Sequence, residues 1–318
     1  MTRTRIFFAT DIHGSECCFR KFINAGKFYK ADVLIHGGDL TGKKIIPIVK
    51  DSDGSYTSYF LGREYTLRTT AEVEALEQKI RDVGSYPYIA SKDEIEELHS
   101  NPTKLDEIFS LVLCESLRRW IHFAEERLKD TKIKCFISSG NDDSHIIDRI
   151  LEESNYVVYP EGKSLWIDEH HEMVSSGFAN MTPWKCPRDV PDEELSKIIE
   201  KMVSQVTRME NCIFNLHCPP FNTNIDLAPK LDDSLKPILG PGGTPLTVHV
   251  GSKAIRNIIE KYQPLLGLHG HIHESKGLDR IGRTICVNPG SEYAEGILKG
   301  FLVDLTDKGI KAYLFTTG

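Results

Sequence analysis

Two short apolar runs near the start of the chain, Ile6 to Thr10 and Val33 to Gly37, have the length and β-branched content of buried strands. Between them Ser15 can cap a helix reaching to about Gly26, so the pattern predicts strand, helix, strand, as in a buried sheet flanked by helices. The rhythm then changes over 43–130. Asp51-Ser52-Asp53-Gly54-Ser55 is a turn cluster between β-leaning stretches and predicts a hairpin. A mainly helical stretch follows. Thr69 with Glu72, and Ser91 with Glu94, have capping-box spacing, and Asn101-Pro102 places proline at the first position of a third helix. In that helix Leu105, Ile108, Phe109, Val112, Leu113, Leu117, Trp120, Ile121, Ala124 and Leu128 form one wide apolar stripe, which must pack on a partner.

Strand-helix alternation resumes at Ile133 to Ser138, followed by a helix from about Ser144 to Ser154. Short strands are expected near Ser164 to Ile167 and Met173 to Gly177, a helix from about Asp192 to Val206, and a strand from Cys212 to Leu216. A proline- and glycine-rich loop extends to about Gly251. Then come a helix at Ser252 to Tyr262 and strands at Leu265 to Leu268, Thr284 to Val287, Gly300 to Leu305 and Ile310 to Phe315. The 318 residues therefore read as one α/β domain carrying an insertion at 43–130.

Composition narrows the partners. A net charge of −7 weighs against long nucleic acid, which is bound by neutralising phosphates. Nothing approaches the roughly 18 consecutive apolar residues of a membrane span, and the first residues do not form a signal peptide, so a soluble cytoplasmic protein is expected. The cysteines at 17, 18, 114, 135, 186, 212, 218 and 286 contain no C-x-x-C pair and read as apolar fillers, with Cys218 singled out only because it follows His217.

Five of the β-leaning runs end in metal-ligating residue types: Asp11 and His13, Asp39, Asn141, His217, and His271 with His273. Ligands gather at the carboxyl ends of strands in α/β sheets, so these seven side chains are expected to converge. Imidazole, carboxylate and amide oxygen together suit Mn, Fe, Zn or Mg, and the lack of thiolates argues against a structural zinc site. Each piece alone is common; their succession at strand ends is not. The other histidines, at 36, 99, 122, 145, 170, 171, 249 and 269, are expected to be surface or packing residues, although His145 and His249 lie in segments that could approach the site.

The order Asp11-x-His13, Gly38-Asp39, Gly140-Asn141, His217 and Gly270-His271-x-His273 resembles the calcineurin-like metallophosphoesterase superfamily. The resemblance covers roughly residues 5 to 42 and 132 to 317, including the turn Asn288-Pro289-Gly290-Ser291. It implies a four-layer α/β/β/α sandwich with two divalent metals at its rim, manganese first among the candidates. Asp11, His13 and His273 would hold one metal, Asn141, His217 and His271 the other, and Asp39 would bridge them. The implied activity is hydrolysis of a phosphate mono- or diester of a small molecule by a hydroxide shared between the metals. A nuclease, a cyclic nucleotide phosphodiesterase and a non-catalytic interaction module are the alternatives.

One position departs from the family pattern. Many members have histidine after the asparagine; here it is Asp142, which carries the catalytic role only if it keeps a proton or orients another group. Weak protonation of the leaving group, and a preference for good leaving groups, would follow. The insertion could cap the site, pack on the domain or join two copies through its helices, and its hairpin at Tyr56, Tyr59 and Phe60, with Arg63 and Arg68, is a candidate substrate rim.

Overall fold

The computed structural model describes residues 3–318. Two six-stranded sheets face each other. The first runs, edge to edge, through Gly309–Thr317, Lys299–Thr306, Thr4–Ala9, Val33–His36, Lys134–Ile137 and Val157–Val158. Its last four strands are parallel, and the two C-terminal strands close it in antiparallel fashion. The second sheet runs through Gly277–Ile281, Thr284–Asn288, Leu266–Leu268, Ile213–Leu216, Glu172–Ser176 and Ser164–Trp166, with its four central strands parallel.

Because successive side chains on a strand point to opposite faces, each strand serves two cores. Ile6, Phe8, Val33 and Ile35 point inward and meet Met173, Ile213, Leu266, Leu268 and Val287 of the second sheet. Phe7, Ala9 and Leu34 point the other way, against helices Glu16–Phe28, Pro102–Leu128 and Ile146–Glu152. On the far side Val174, Phe214 and Cys286 pack under helices Asp192–Val203 and Lys253–Tyr262. The result is the four-layer α/β/β/α arrangement. From Leu113 onward the stripe of the long helix is covered from within the chain, with Trp120 stacked on Phe19 at 4.4 Å between ring centroids, whereas Leu105 near its start is exposed.

The insertion is more sheet-like than its sequence pattern suggests. The expected hairpin forms between Lys44–Lys50 and Tyr56–Phe60, and all three helix starts sit where the capping residues place them. Two further strands, Arg63–Leu67 and Ser85–Ser91, complete a four-stranded sheet. Ser85–Ser91 pairs in parallel with Lys44–Lys50, a contact across some forty residues that no local pattern announces, and Pro87 inside it is tolerated because the strand is at an edge. Ile48, Phe60 and Leu67 from this sheet pack on Val73, Leu76 and Ile80 of helix Thr70–Asp82, giving the insertion its own small core. Phe60 is thus turned inward, while Tyr59 is exposed.

The insertion is locked to the main domain beside the strand-end loops. Gly84 has φ +88°, and a Cβ there would overlap the carbonyl oxygen of His13; a Cβ at Gly42 would overlap the carbonyl oxygen of Gly84. Only glycine permits this backbone-to-backbone contact. Gly42 N donates to the Tyr86 hydroxyl at 2.8 Å, and Ser15 Oγ to the Asp82 carbonyl at 2.5 Å.

Candidate metal centre

The parallel strands of both sheets point their carboxyl ends to one rim. From the first sheet come Asp11, His13, Asp39 and Asn141; from the second come His217, His271 and His273. Asp11, His13, Asp39 and His271 all lie in the left-handed backbone region, with φ of 54°, 38°, 52° and 68°. Non-glycine residues adopt it at a cost of order 1 kcal/mol or more each, and such residues cluster where side chains must be aimed at a common point.

Two groups of donor atoms result. Asp11, His13, Asp39 and His273 can each offer one atom within 4.8 Å of the others, and so can Asp39, His217 and His271. Asp39 belongs to both. Its Oδ2 lies 3.5 Å from His13 Nε2 and its Oδ1 3.3 Å from His217 Nε2. In the first group His13 Nε2 and His273 Nε2 approach to 2.9 Å, and His273 Nε2 is 3.6 Å from Asp11 Oδ1. In the second, His217 Nε2 is 3.2 Å from Asn141 Oδ1. Each Asp39 oxygen therefore faces a different set of nitrogen donors.

Neighbouring contacts fix the orientation of these groups. His217 Nδ1 is 3.0 Å from the carbonyl of Gly37, which as an acceptor sets the proton on Nδ1 and turns Nε2 into the site. Asn141 Nδ2 donates to Asp189 Oδ1 at 2.9 Å. The backbone N–H of His271 donates to the Asp11 carboxylate at 3.0 and 3.1 Å, and Ser291 Oγ donates to the Asp11 carbonyl at 2.6 Å. Buried Asp143 accepts from the backbone N–H of Leu40, Thr41 and Gly140 at 2.8–2.9 Å, tying the Asp39 turn to the Asn141 turn. Arg188, fully buried, donates to the Asp143 carbonyl at 3.1 Å and to Asp148 at 2.5 Å. None of Asp143, Arg188 and Asp189 stands out in the sequence, because their partners lie up to 103 residues away.

The electrostatics fit a cation. Burial alone would raise the pKa of Asp39, but the surrounding imidazoles hold it well below the usual carboxylate range; Asp11 is lowered in the same way, chiefly by His273 and His217. Burial pushes His13 and His271 down to about 4, leaving them neutral, the form that binds metal. For His217 burial acts downward too, yet the charge of Asp39 overrides it and raises the pKa to about 10. Two buried carboxylates thus draw positive charge into the cluster, and the donor set of carboxylate, imidazole and amide oxygen is the one that borderline and hard divalent cations take. His13 Nδ1 is buried without a hydrogen-bond partner, so that ring is oriented by its other nitrogen.

Asp142 sits on the rim. Its carboxylate forms an ion pair with Lys43, accepts from the Cys186 thiol at 2.8 Å and lies 4.0 Å from His13 Nδ1. Cys186 is therefore a polar neighbour of the site, not the apolar filler expected of the cysteines, whereas the Cys218 side chain is buried against Asn180. The remaining histidines stand apart from the donor groups: His249 pairs with Asp226 at 2.7 Å, His171 with Asp168 at 2.8 Å, and His145 is exposed beside Asp148. His36 and His269 are buried behind the cluster, His269 held by the Leu216 carbonyl at 2.8 Å.

No family model matches the chain. One curated relative, the uncharacterized protein MJ1162 of Methanocaldococcus jannaschii, is 37% identical over 123 residues, which is 38% of this chain and 49% of that protein. The chain thus spans about half the length of the curated relative it matches. Among solved structures, one superposes on 99% of this chain and 99% of its own with a TM-score of 0.57 at 16% identity. The protein TT1561 of Thermus thermophilus covers 100% and 99% with a TM-score of 0.50 at 13% identity. At such identities the likeness speaks for the fold, and the two facing sheets with seven donors at their rim say which one. The chain has the calcineurin-like metallophosphoesterase fold. A TM-score of 0.38 to an archaeal phosphodiesterase, at 12% identity over 99% of this chain and 100% of that one, adds nothing to the assignment. Among the described residues no helix is long and apolar enough to cross a membrane.

Proposed function

We propose that the chain is a hydrolase of small phosphate mono- or diesters that works with two divalent cations, manganese first among them. The observation that carries this reading is the placement of Asp39, one oxygen toward His13 and the other toward His217. A carboxylate shared in this way offsets the repulsion of two cations held about 3.5–4 Å apart. Asp11, His13 and His273 would hold one cation, and Asn141, His217 and His271 the other, with Asp39 common to both. Bound there, the cations would acidify water and neutralise phosphate oxygens.

The chain's own residues do the rest. The Gly37 carbonyl keeps His217 in the tautomer that presents Nε2, and Asp189 does the same for the Asn141 oxygen. Asp143 and Arg188 hold the two loops in register, so that the donors are in place before substrate arrives. His273, at 33% side-chain exposure, marks the open side, while His217 beneath it is fully buried, which sets the direction of substrate approach. Net charge −7 favours a small substrate over a polynucleotide.

Hydrolysis of p-nitrophenyl phosphate and bis-p-nitrophenyl phosphate by metal-stripped protein, with and without Mn²⁺, tests the reading. Turnover that requires the metal and falls at least about 100-fold in Asp39→Asn supports it. Folded, manganese-loaded protein with no turnover on either ester would favour a binding module instead.

A further inference from the structure

Lys43 is the first residue of the insertion and stands at the mouth of the donor cluster. Its ammonium is ion-paired with Asp142, whose backbone N–H donates to Asp39 Oδ1 at 3.1 Å and whose carboxylate lies 4.0 Å from His13 Nδ1. Among the described residues no other lysine or arginine forms an ion pair with Asp11, Asp39 or Asp142. The position is built. Gly42, just before Lys43, is clamped between Gly84 and Gly14, and its N–H is held by the Tyr86 hydroxyl. The preceding turn is tied down by Asp143 through Leu40 and Thr41. A flexible lysine stem thus starts from a fixed backbone and ends on a fixed carboxylate.

We propose that Lys43 is a substrate-phosphate contact of this site, and that Asp142 is the positioning residue that holds its ammonium over the mouth of the cluster. The inference rests on the phosphoesterase reading above. An ammonium has three N–H donors, and Asp142 takes one. The Lys43 side chain is half exposed, so the remaining donors are free to meet an anion arriving from solvent. Asp142 is engaged on both sides, by Lys43 and by the Cys186 thiol, which leaves it an orienting group and not a donor to the leaving oxygen. A fixed cation beside the cations of the cluster discriminates by charge: it favours a dianionic monoester over a monoanionic diester. The insertion then has a task in the chemistry, since its sheet anchors the turn from which Lys43 projects.

Manganese-loaded protein titrated calorimetrically with inorganic phosphate, with metal content measured in parallel, tests this. Lys43→Met is expected to weaken phosphate binding at least 10-fold and to raise KM for a monoester more than it lowers kcat, at unchanged metal content. Lys43→Arg, which keeps the charge, should recover most of the binding. Asp142→Asn should weaken phosphate less than Lys43→Met. Lys43→Gln supplies the same information if the methionine variant does not fold. Phosphate affinity in Lys43→Met within twofold of the unmodified protein overturns the assignment of Lys43 while leaving the phosphoesterase reading intact. Absence of metal-dependent phosphate binding in the unmodified protein overturns both.

Discussion

The side-chain amide of Asn141 donates through Nδ2 to Asp189 Oδ1 at 2.9 Å. A carboxylate only accepts, so this contact settles which end of the amide is nitrogen and turns Asn141 Oδ1 toward His217, 3.2 Å away. Asp189 is itself held by Thr182 Oγ1 at 2.5 Å and by the N–H groups of Thr182 and Cys186. Without it the amide is free to rotate and present its NH₂ to the cation. Asp189→Ala should therefore lower affinity for the second metal by about 10–100-fold with little change at the first. Calorimetric titration with Mn²⁺ reads this directly: loss of the weaker or stronger of two binding steps is expected, and two unaltered steps would show that Asp189 does not orient the ligand.

Gly84 touches His13 from the insertion side, with φ +88° and no room for a Cβ against the His13 carbonyl. Gly84→Ala combines an unfavourable backbone conformation with a backbone clash, so a loss of about 2 kcal/mol or more is expected. A melting temperature several degrees lower, and manganese affinity lowered along with it, would show that the insertion supports the metal loops. A loss of stability with metal affinity unchanged would mean that insertion and site are mechanically separate.

Glu161 carries a pH signature. Loss of water around its carboxyl raises its pKa to about 7, against hydrogen bonds from Gly177 N at 2.6 Å and Ser176 Oγ at 3.2 Å and the field of Arg188. The unfolded value is about 4.3. A carboxyl whose folded pKa is the higher one binds its proton more tightly when folded, so its contribution is complete below about pH 4 and is lost as pH climbs toward 7. The size is at most about 4 kcal/mol. Glu161→Gln has no proton to lose, so urea unfolding should show the variant gaining on the unmodified protein between about pH 5 and 7.5. A stability difference that stays constant over that window would contradict the shift.

The donor residues are legible in the sequence because chain order and chemistry coincide: each follows a short apolar run, and parallel strands carry their ends to one rim. The alternation of Ile6, Phe7, Phe8 and Ala9 between two cores likewise follows from the period of a strand. What holds the donors is not legible. Asp189 and Asp143 look like any loop aspartate until the fold brings them to Asn141 and Leu40, and Lys43 looks like a solvated lysine until the insertion fixes it over Asp142. Ser85–Ser91 escapes a sequence reading for a related reason: its partner strand is distant, its hydrophobic pattern lacks clean alternation, and Pro87 argues against a strand wherever the edge position is unknown. Cys186 reads as a filler from its residue type alone, and its contact with Asp142 comes from a loop 44 residues further along the chain.

The measurement that bears most directly on a shared dinuclear centre is the manganese content of the folded protein after metal loading and desalting, for the unmodified chain, Asn141→Ala and Asp39→Asn. With Asp39 common to both donor groups, two ions per chain are expected in the unmodified protein, one in Asn141→Ala and fewer than one in Asp39→Asn. A single ion per chain in the unmodified protein, or two ions retained in Asp39→Asn, would contradict a centre in which one carboxylate serves both cations.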